Sequence, residues 1–99
     1  GASLKGSIVV VKPLFRRAVT QYFAVRGLEA ANEVEELCSV YGKISAIKTV
    51  QERDSNTFYV FMENLEEAIT ACTLLSGRKY SDSNSTTTFF ITKDRFMKT

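Results

Sequence analysis

Aromatic rings on one short stretch are the groups of this 99-residue chain whose arrangement most suggests a function. The stretch Asn56–Met62 reads Asn-Thr-Phe-Tyr-Val-Phe-Met, and its residue types are those of a strand deep in a sheet. Side chains alternate across a strand, which divides this one into two sets: Phe58, Val60 and Met62; Thr57, Tyr59 and Phe61. We expect the first set to pack under helices and the second to face away from them. The second face is then either half of a larger core or a platform for a flat ligand.

The remaining reactive side chains do not form a catalytic or metal site in the sequence. The chain has no histidine, so the commonest general base is absent. It has no glycine-rich phosphate loop, and Cys38 and Cys72 lack metal-ligand spacing. We interpret them as reduced, buried thiols of an intracellular domain. The sequence thus predicts no enzyme, no cofactor, no metal and no small-molecule substrate.

Composition indicates an ordinary globular domain. Hydrophobic residues make up 44% and charged residues 24% of the chain, and its length suits one two-layer core. The formal charge of +2 permits nucleic-acid binding but does not argue for it. No apolar run reaches the length of a membrane span, so we expect no membrane partner. The chain begins Gly-Ala-Ser without Met, and we expect it to be a segment of a longer protein.

Two helices are predicted from capping residues and apolar spacing. Asn32 is expected to cap the first helix with Glu35 as its reciprocal partner, and Gly42 is expected to end it. Asn64 repeats the capping arrangement for a second helix that Gly77 ends. Strands are predicted around the helices at the following places: Val19–Val25, Ile44–Val50, Asn56–Met62 and Phe89–Thr92.

This order of elements predicts an α+β fold. A βαββαβ chain gives a ferredoxin-like sandwich, in which a four-stranded antiparallel sheet carries two helices on one face and the first and third strands are central. We place the domain at 18–93. Residues 1–17 are predicted to be a tail whose run Ile8–Val11 is at most an extra edge strand, because Pro13 interrupts it. Ser81–Thr88 is predicted to be a solvated loop, and 94–99 a basic tail, with a short helix considered within Lys93–Thr99.

Two passages resemble the RNA recognition motif (RRM) family. They are Glu36-Leu37-Cys38-Ser39-Val40-Tyr41-Gly42-Lys43-Ile44 and Met62-Glu63-Asn64-Leu65-Glu66-Glu67-Ala68. The resemblance spans about Thr20 to Thr92 and implies RNA binding on the sheet. The family's binding motifs are degenerate here, however. Ala24 and Thr57 stand where outward aromatics are usual, and Tyr59 alone is kept.

The first functional hypothesis is weak or atypical binding of single-stranded RNA by a module of an RNA-processing protein. Tyr59 would stack a base, with further contacts from these positions: Tyr22, Ala24, Arg26, Lys48, Thr57, Phe61, Phe90 and Lys93. The resemblance also implies mRNA processing, splicing and a nuclear location. An equal alternative is that a terminal segment packs over these aromatics and closes the sheet.

The second hypothesis is recognition of a protein or peptide partner. Some RRM-like domains with degenerate RNA motifs bind a tryptophan-bearing peptide, and this chain resembles them in its acidic first helix and its Arg78-Lys79-Tyr80 corner. Tyr80 would then form a pocket wall and Arg78 a cap, while Glu33 and Glu36 would attract basic ligand residues. The simpler interpretation is that the acids stabilise the helix dipole and that the bulky residue packs.

Overall fold

The computed structural model describes residues 18–79 and 85–99. The predicted edge strand Ile8–Val11 and the proposed pocket residue Tyr80 lie outside these residues. The strands are β1 (Tyr22–Arg26), β2 (Ala46–Gln51), β3 (Asn56–Phe61) and β4 (Thr87–Phe90). The helices are α1 (Ala31–Ser39), α2 (Leu65–Leu75) and α3 (Lys93–Met97). No helix in the described part of the chain is both long and apolar enough to cross a membrane.

The strands form one antiparallel sheet in the order β2-β3-β1-β4. The predicted ferredoxin-like α+β fold is therefore confirmed, with β1 and β3 in the middle. Tyr22 lies opposite Phe61, Ala24 opposite Tyr59 and Arg26 opposite Thr57. This register brings every second residue of the two central strands onto the same face.

The face toward α1 and α2, here called the helix-side face, carries the main core. Phe58, Val60 and Met62 are buried there, as the alternation of β3 predicts. Cys38 and Cys72 are free, buried thiols in the same cluster. Burial raises the pKa of the Cys38 thiol to about 12. Both cysteines therefore act as small apolar core residues rather than as reactive groups.

The two long helices begin in different ways. Asn64 caps α2 as predicted, because its side chain accepts the backbone N–H of Glu67 at 3.0 Å. The prediction for α1 was wrong by two residues at its start, and the helix ends at Ser39 instead of running to Gly42. It begins at Ala31, which is half-buried against the core, and Asn32 lies inside the helix. The Glu33 carboxylate accepts hydrogen bonds from the backbone N–H groups of Glu29 and Ala30, each at 3.0 Å, which gives these donors a partner where the chain enters the helix.

The predicted solvated loop ends earlier than expected. Thr86 is buried, and its hydroxyl donates to the Leu75 carbonyl oxygen at the end of α2. Thr88 lies in β4, and its hydroxyl donates to the Cys72 carbonyl oxygen. Threonines that satisfy orphan helix carbonyls can be buried despite their polarity, which is why the last three residues of this polar run were misinterpreted as loop. Residues 81–84 of the predicted loop lie outside the described residues. Gly77, with φ of +75°, ends α2 as predicted.

Candidate nucleic-acid interface

The face opposite α1 and α2, here called the outer face, is where the family resemblance places RNA contacts. Pairing of the strands defines its members. They are Ala46, Lys48 and Val50 on β2, Thr57, Tyr59 and Phe61 on β3, Tyr22, Ala24 and Arg26 on β1, and Thr87 and Phe89 on β4. The predicted strand positions therefore meet on one surface with Phe90 as the exception, and Lys93 lies on α3 rather than in the sheet.

Phe90 was assigned to the wrong face. It lies opposite Phe23 of the main core and packs on the helix side. Its neighbour Phe89 lies opposite Ala24 and is the β4 aromatic of the outer face. In a Phe-Phe pair either ring can face outward, and only the register with β1 decides between them.

Three rings form an aromatic group on the outer face, here called the covered half: Tyr22, Tyr59 and Phe61. Tyr22 and Phe61 stack with centroids 4.6 Å apart and ring planes 11° from parallel. Phe96 of α3 lies over this pair, 5.0 Å from the Tyr22 ring and 6.2 Å from the Phe61 ring. The Phe96 side chain is only 3% exposed. A second small core therefore exists on the outer face.

Helix α3 also covers Tyr59, which the sequence presented as the central stacking ring. Tyr59 is 5% exposed, and its hydroxyl oxygen accepts a hydrogen bond from Arg95 Nε at 3.0 Å. The Arg95 guanidinium carbon lies 5.8 Å from the Tyr59 ring centroid. The sequence left open whether these aromatics are exposed to RNA or covered by a terminal segment. The structure shows that they are covered, by residues that were predicted to be a tail.

Lys48 is turned toward α3. Its Nζ donates to the Phe96 carbonyl oxygen at 2.8 Å and lies 4.5 Å from the Phe96 ring centroid. The ammonium group thus satisfies a carbonyl at the end of α3 and makes a cation–π contact with the ring. In this state Lys48 holds the helix rather than a phosphate. Lys93, at the start of α3, is exposed.

The chain enters α3 by a fixed path. The Ile91 N–H donates to the Tyr22 carbonyl oxygen at 3.0 Å, and the Thr20 hydroxyl donates to the Ile91 carbonyl oxygen at 2.6 Å. Thr92 then caps α3, since its hydroxyl accepts the Arg95 N–H at 3.0 Å. The sequence offered a signal that was missed: a Thr cap followed by a turn whose one aromatic is Phe96.

The other end of the outer face, here called the open end, consists of the exposed Arg26, the half-buried Phe89 and, beneath them, the buried Thr57. The Arg26 guanidinium carbon lies 4.9 Å from the Phe89 ring centroid. Its Nε donates to the Thr57 hydroxyl at 3.3 Å and lies 3.4 Å from a carboxylate oxygen of Glu52. The Thr57 hydroxyl donates to Glu52, and this bond together with the Arg26 charge holds the pKa of Glu52 below its usual range. Glu52 was not anticipated from the sequence.

The structure describes three of the four residues predicted to bind a peptide: Glu33, Glu36 and Arg78. The Glu33 carboxylate is already hydrogen-bonded to backbone N–H groups at the start of α1, whereas Glu36 is exposed on the same helix. Arg78 Nη1 donates to the Tyr41 hydroxyl at 3.2 Å, which joins the segment after α2 to the end of α1. Tyr80 lies outside the described residues.

Comparison with known proteins agrees on the fold. No protein-family model matches the chain, and no curated protein sequence matches it. Among solved structures, the RRM of RNA15 superposes with a TM-score of 0.70 at 14% identity, covering 81% of this chain and 99% of that one. The Rna15 RRM with bound RNA (GU) gives 0.62 at 15% identity, with 75% and 85% covered.

The RRM domain complex of PID-3 and TOFU-6 is a further structural neighbour. It gives a TM-score of 0.60 at 13% identity and covers 76% of this chain and 96% of that one. All of these neighbours are RRM domains. The chain therefore has an RRM-like fold.

Proposed function

We propose that this domain is the RNA-binding module of an RNA-processing protein and that its outer face binds single-stranded RNA weakly. The observation that carries the proposal is the group formed by Tyr22, Tyr59 and Phe61. These rings lie on the face away from α1 and α2, and a helix of only five residues covers them. A single ring, Phe96, supplies the apolar part of that cover.

The Rna15 RRM, a structural neighbour, has been solved with bound RNA (GU), which supports RNA as the ligand class. In this chain α3 must leave the sheet before a base can stack on Tyr59. Lys48 would then exchange the Phe96 carbonyl for a phosphate oxygen, and exposed Lys93 would add a second positive charge. We extend the proposal to mRNA processing, splicing included, in the nucleus.

The energetics explain why binding should be weak. Lifting α3 from the sheet costs about 2 kcal/mol, less than the roughly 3–5 kcal/mol for removing a Phe ring from an ordinary core, because α3 can detach while the rest of the domain stays folded. Each base stacked on an aromatic contributes about 1–3 kcal/mol. One or two stacked bases are thus needed merely to offset the uncovering of the sheet. What is left for net affinity is small, and the salt-sensitive phosphate contacts supply much of it.

A titration with mixed-sequence single-stranded RNA, followed by amide chemical shifts, tests this proposal. Phe96→Ala should raise the affinity by about thirtyfold, since RNA no longer has to overcome the roughly 2 kcal/mol that holds α3 on the sheet. Met97→Ala is the matched control, because Met97 belongs to the same helix but is 55% exposed. It should leave the affinity unchanged.

A second substitution makes the test decisive. Tyr59→Ala in the Phe96→Ala background should abolish the gained affinity, because the stacking ring is then missing. If the double variant binds as tightly as Phe96→Ala, or if uncovering the sheet gives no binding, RNA recognition by the covered half is wrong.

Protein binding is the second candidate function, supported by the RRM domain complex of PID-3 and TOFU-6 and by the Arg78–Tyr41 contact. The corresponding ligand would be a short tryptophan peptide with basic residues, attracted by Glu36. Shifts confined to α1 and to residues 75–79 on adding this peptide would favour it over RNA. Because Glu33 is already hydrogen-bonded to the backbone at the start of α1, it is less available to a peptide, and peptide binding is the weaker of the two candidate functions.

A further inference from the structure

The open end of the outer face lies beyond the Phe96 ring, although the Arg95 side chain of the same helix extends as far as the Tyr59 hydroxyl. Phe96 stacks over Tyr22 and Phe61, whereas Arg26 lies four residues further along β1. At about 3.3 Å per residue, this places Arg26 about 13 Å from Tyr22 along the strand. The Arg26 side chain is 46% exposed. A ligand could therefore reach this end while α3 stays in place.

Phe89 provides a ring face at the open end. It lies opposite Ala24 and is half-buried, packed against the outer-face cluster that contains Ala24 and Tyr59. The Arg26 guanidinium carbon already lies over the ring, 4.9 Å from its centroid, so a flat group that displaces this exposed side chain could take its place. An aromatic base is another flat group of this kind, and stacking on Phe requires no particular base sequence.

Arg26 is also held beside an anion. Glu52 approaches Arg26 Nε at 3.4 Å, from the hairpin that joins β2 to β3. A guanidinium binds a carboxylate and a phosphate with the same donor groups. The open end therefore offers a stacking ring next to a site for an anion, which are the two features that a nucleotide presents.

We propose that Phe89 and Arg26 form a binding site for one nucleotide of single-stranded RNA, accessible with α3 in place. The base stacks on Phe89, and the guanidinium moves off the ring to bind the adjoining phosphate. Glu52 competes with that phosphate for Arg26. This inference deepens the proposed function and rests on it for the identity of the ligand as RNA.

The test compares two adjacent phenylalanines in the same RNA titration. Phe89→Leu should weaken binding by about tenfold, because the flat stacking surface is lost. Phe90→Leu is the matched control: the same chemical change is made one residue away, on the helix-side face. It should leave the affinity within about twofold, and amide spectra should show both variants folded.

Charge substitutions test the second half of the site. Arg26→Gln should weaken binding and reduce its salt dependence by about one phosphate contact. Glu52→Gln should strengthen binding by about threefold, since it removes the internal competitor for the guanidinium. If Phe89→Leu does not fold, these two exposed positions still decide the matter.

The outcomes separate this site from the face beneath α3. If Phe89→Leu and Arg26→Gln bind like wild type while Tyr59→Ala weakens the uncovered protein, the open-end site is overturned and the proposed function stands. If RNA changes the amide chemical shifts of neither the wild type nor Phe96→Ala, both the proposed function and the open-end site are overturned. Weakening by Phe89→Leu with the Tyr59 variants unaffected supports the open-end site alone.

Discussion

The two faces of the sheet are packed by different means. On the helix-side face, twelve buried residues form one cluster beneath two helices of nine and eleven residues. On the outer face, the buried cluster has five members and depends on a helix of five residues. The first is a core made by the whole fold. The second is closed by one short element, α3, which contributes a single buried residue, Phe96.

The polar contacts show the same difference. The cover of the outer face depends on hydrogen bonds from Lys48 to the Phe96 carbonyl and from Arg95 to the Tyr59 hydroxyl. Both donors are charged groups that water or a phosphate can also satisfy. The comparison teaches that burial alone does not make a core permanent, because what matters is how many independent contacts must break to expose it.

The largest effect should come from breaking the helix-side core. Phe58→Ala should lower the free energy of unfolding by about 3–5 kcal/mol, since a fully buried ring is lost between β3 and the helices. Urea denaturation measures it. A loss below about 1 kcal/mol would mean that the two faces were assigned the wrong way round.

A smaller loss is expected on the outer face. Phe96→Ala should lower the free energy of unfolding by about 2 kcal/mol, less than an ordinary buried Phe, because α3 can detach while the rest of the domain stays folded. Native-state hydrogen exchange should show the amides of α3 released and those of β3 still protected. Met97→Ala should change neither measurement. Loss of protection throughout the sheet would contradict the idea of a separable cover.

The smallest effect isolates one polar contact of the cover. Tyr59→Phe keeps the ring and removes the hydroxyl that accepts from Arg95, so stability should fall by about 0.5–1.5 kcal/mol. RNA affinity should rise slightly, since α3 is held less firmly while the stacking surface is intact. Tighter protection of α3 in this variant would show that the Arg95 contact opposes closure.

Much of the architecture could be predicted from local patterns. The alternation in β3 identified which of its residues face the helices, and Asn64 and Gly77 identified the limits of α2. The start of α1 was misplaced because Asn32 and Glu35 have the spacing of a capping box, whereas in the structure Glu33 accepts the N–H groups of Glu29 and Ala30 and the helix begins at Ala31. The candidate site positions on β1 and β3 follow from the same alternation, although their role in binding stays a prediction.

The sequence by itself determined a two-faced sheet, its two long helices and the fold that they make, because alternation, capping and glycine turns act over a few residues. Only the tertiary structure decided that Phe89 rather than Phe90 faces outward, and that Phe96 closes the covered half. Both outcomes depend on pairing between residues far apart in the chain. The site where α3 docks does not exist until the strands have assembled, so no local pattern encodes it.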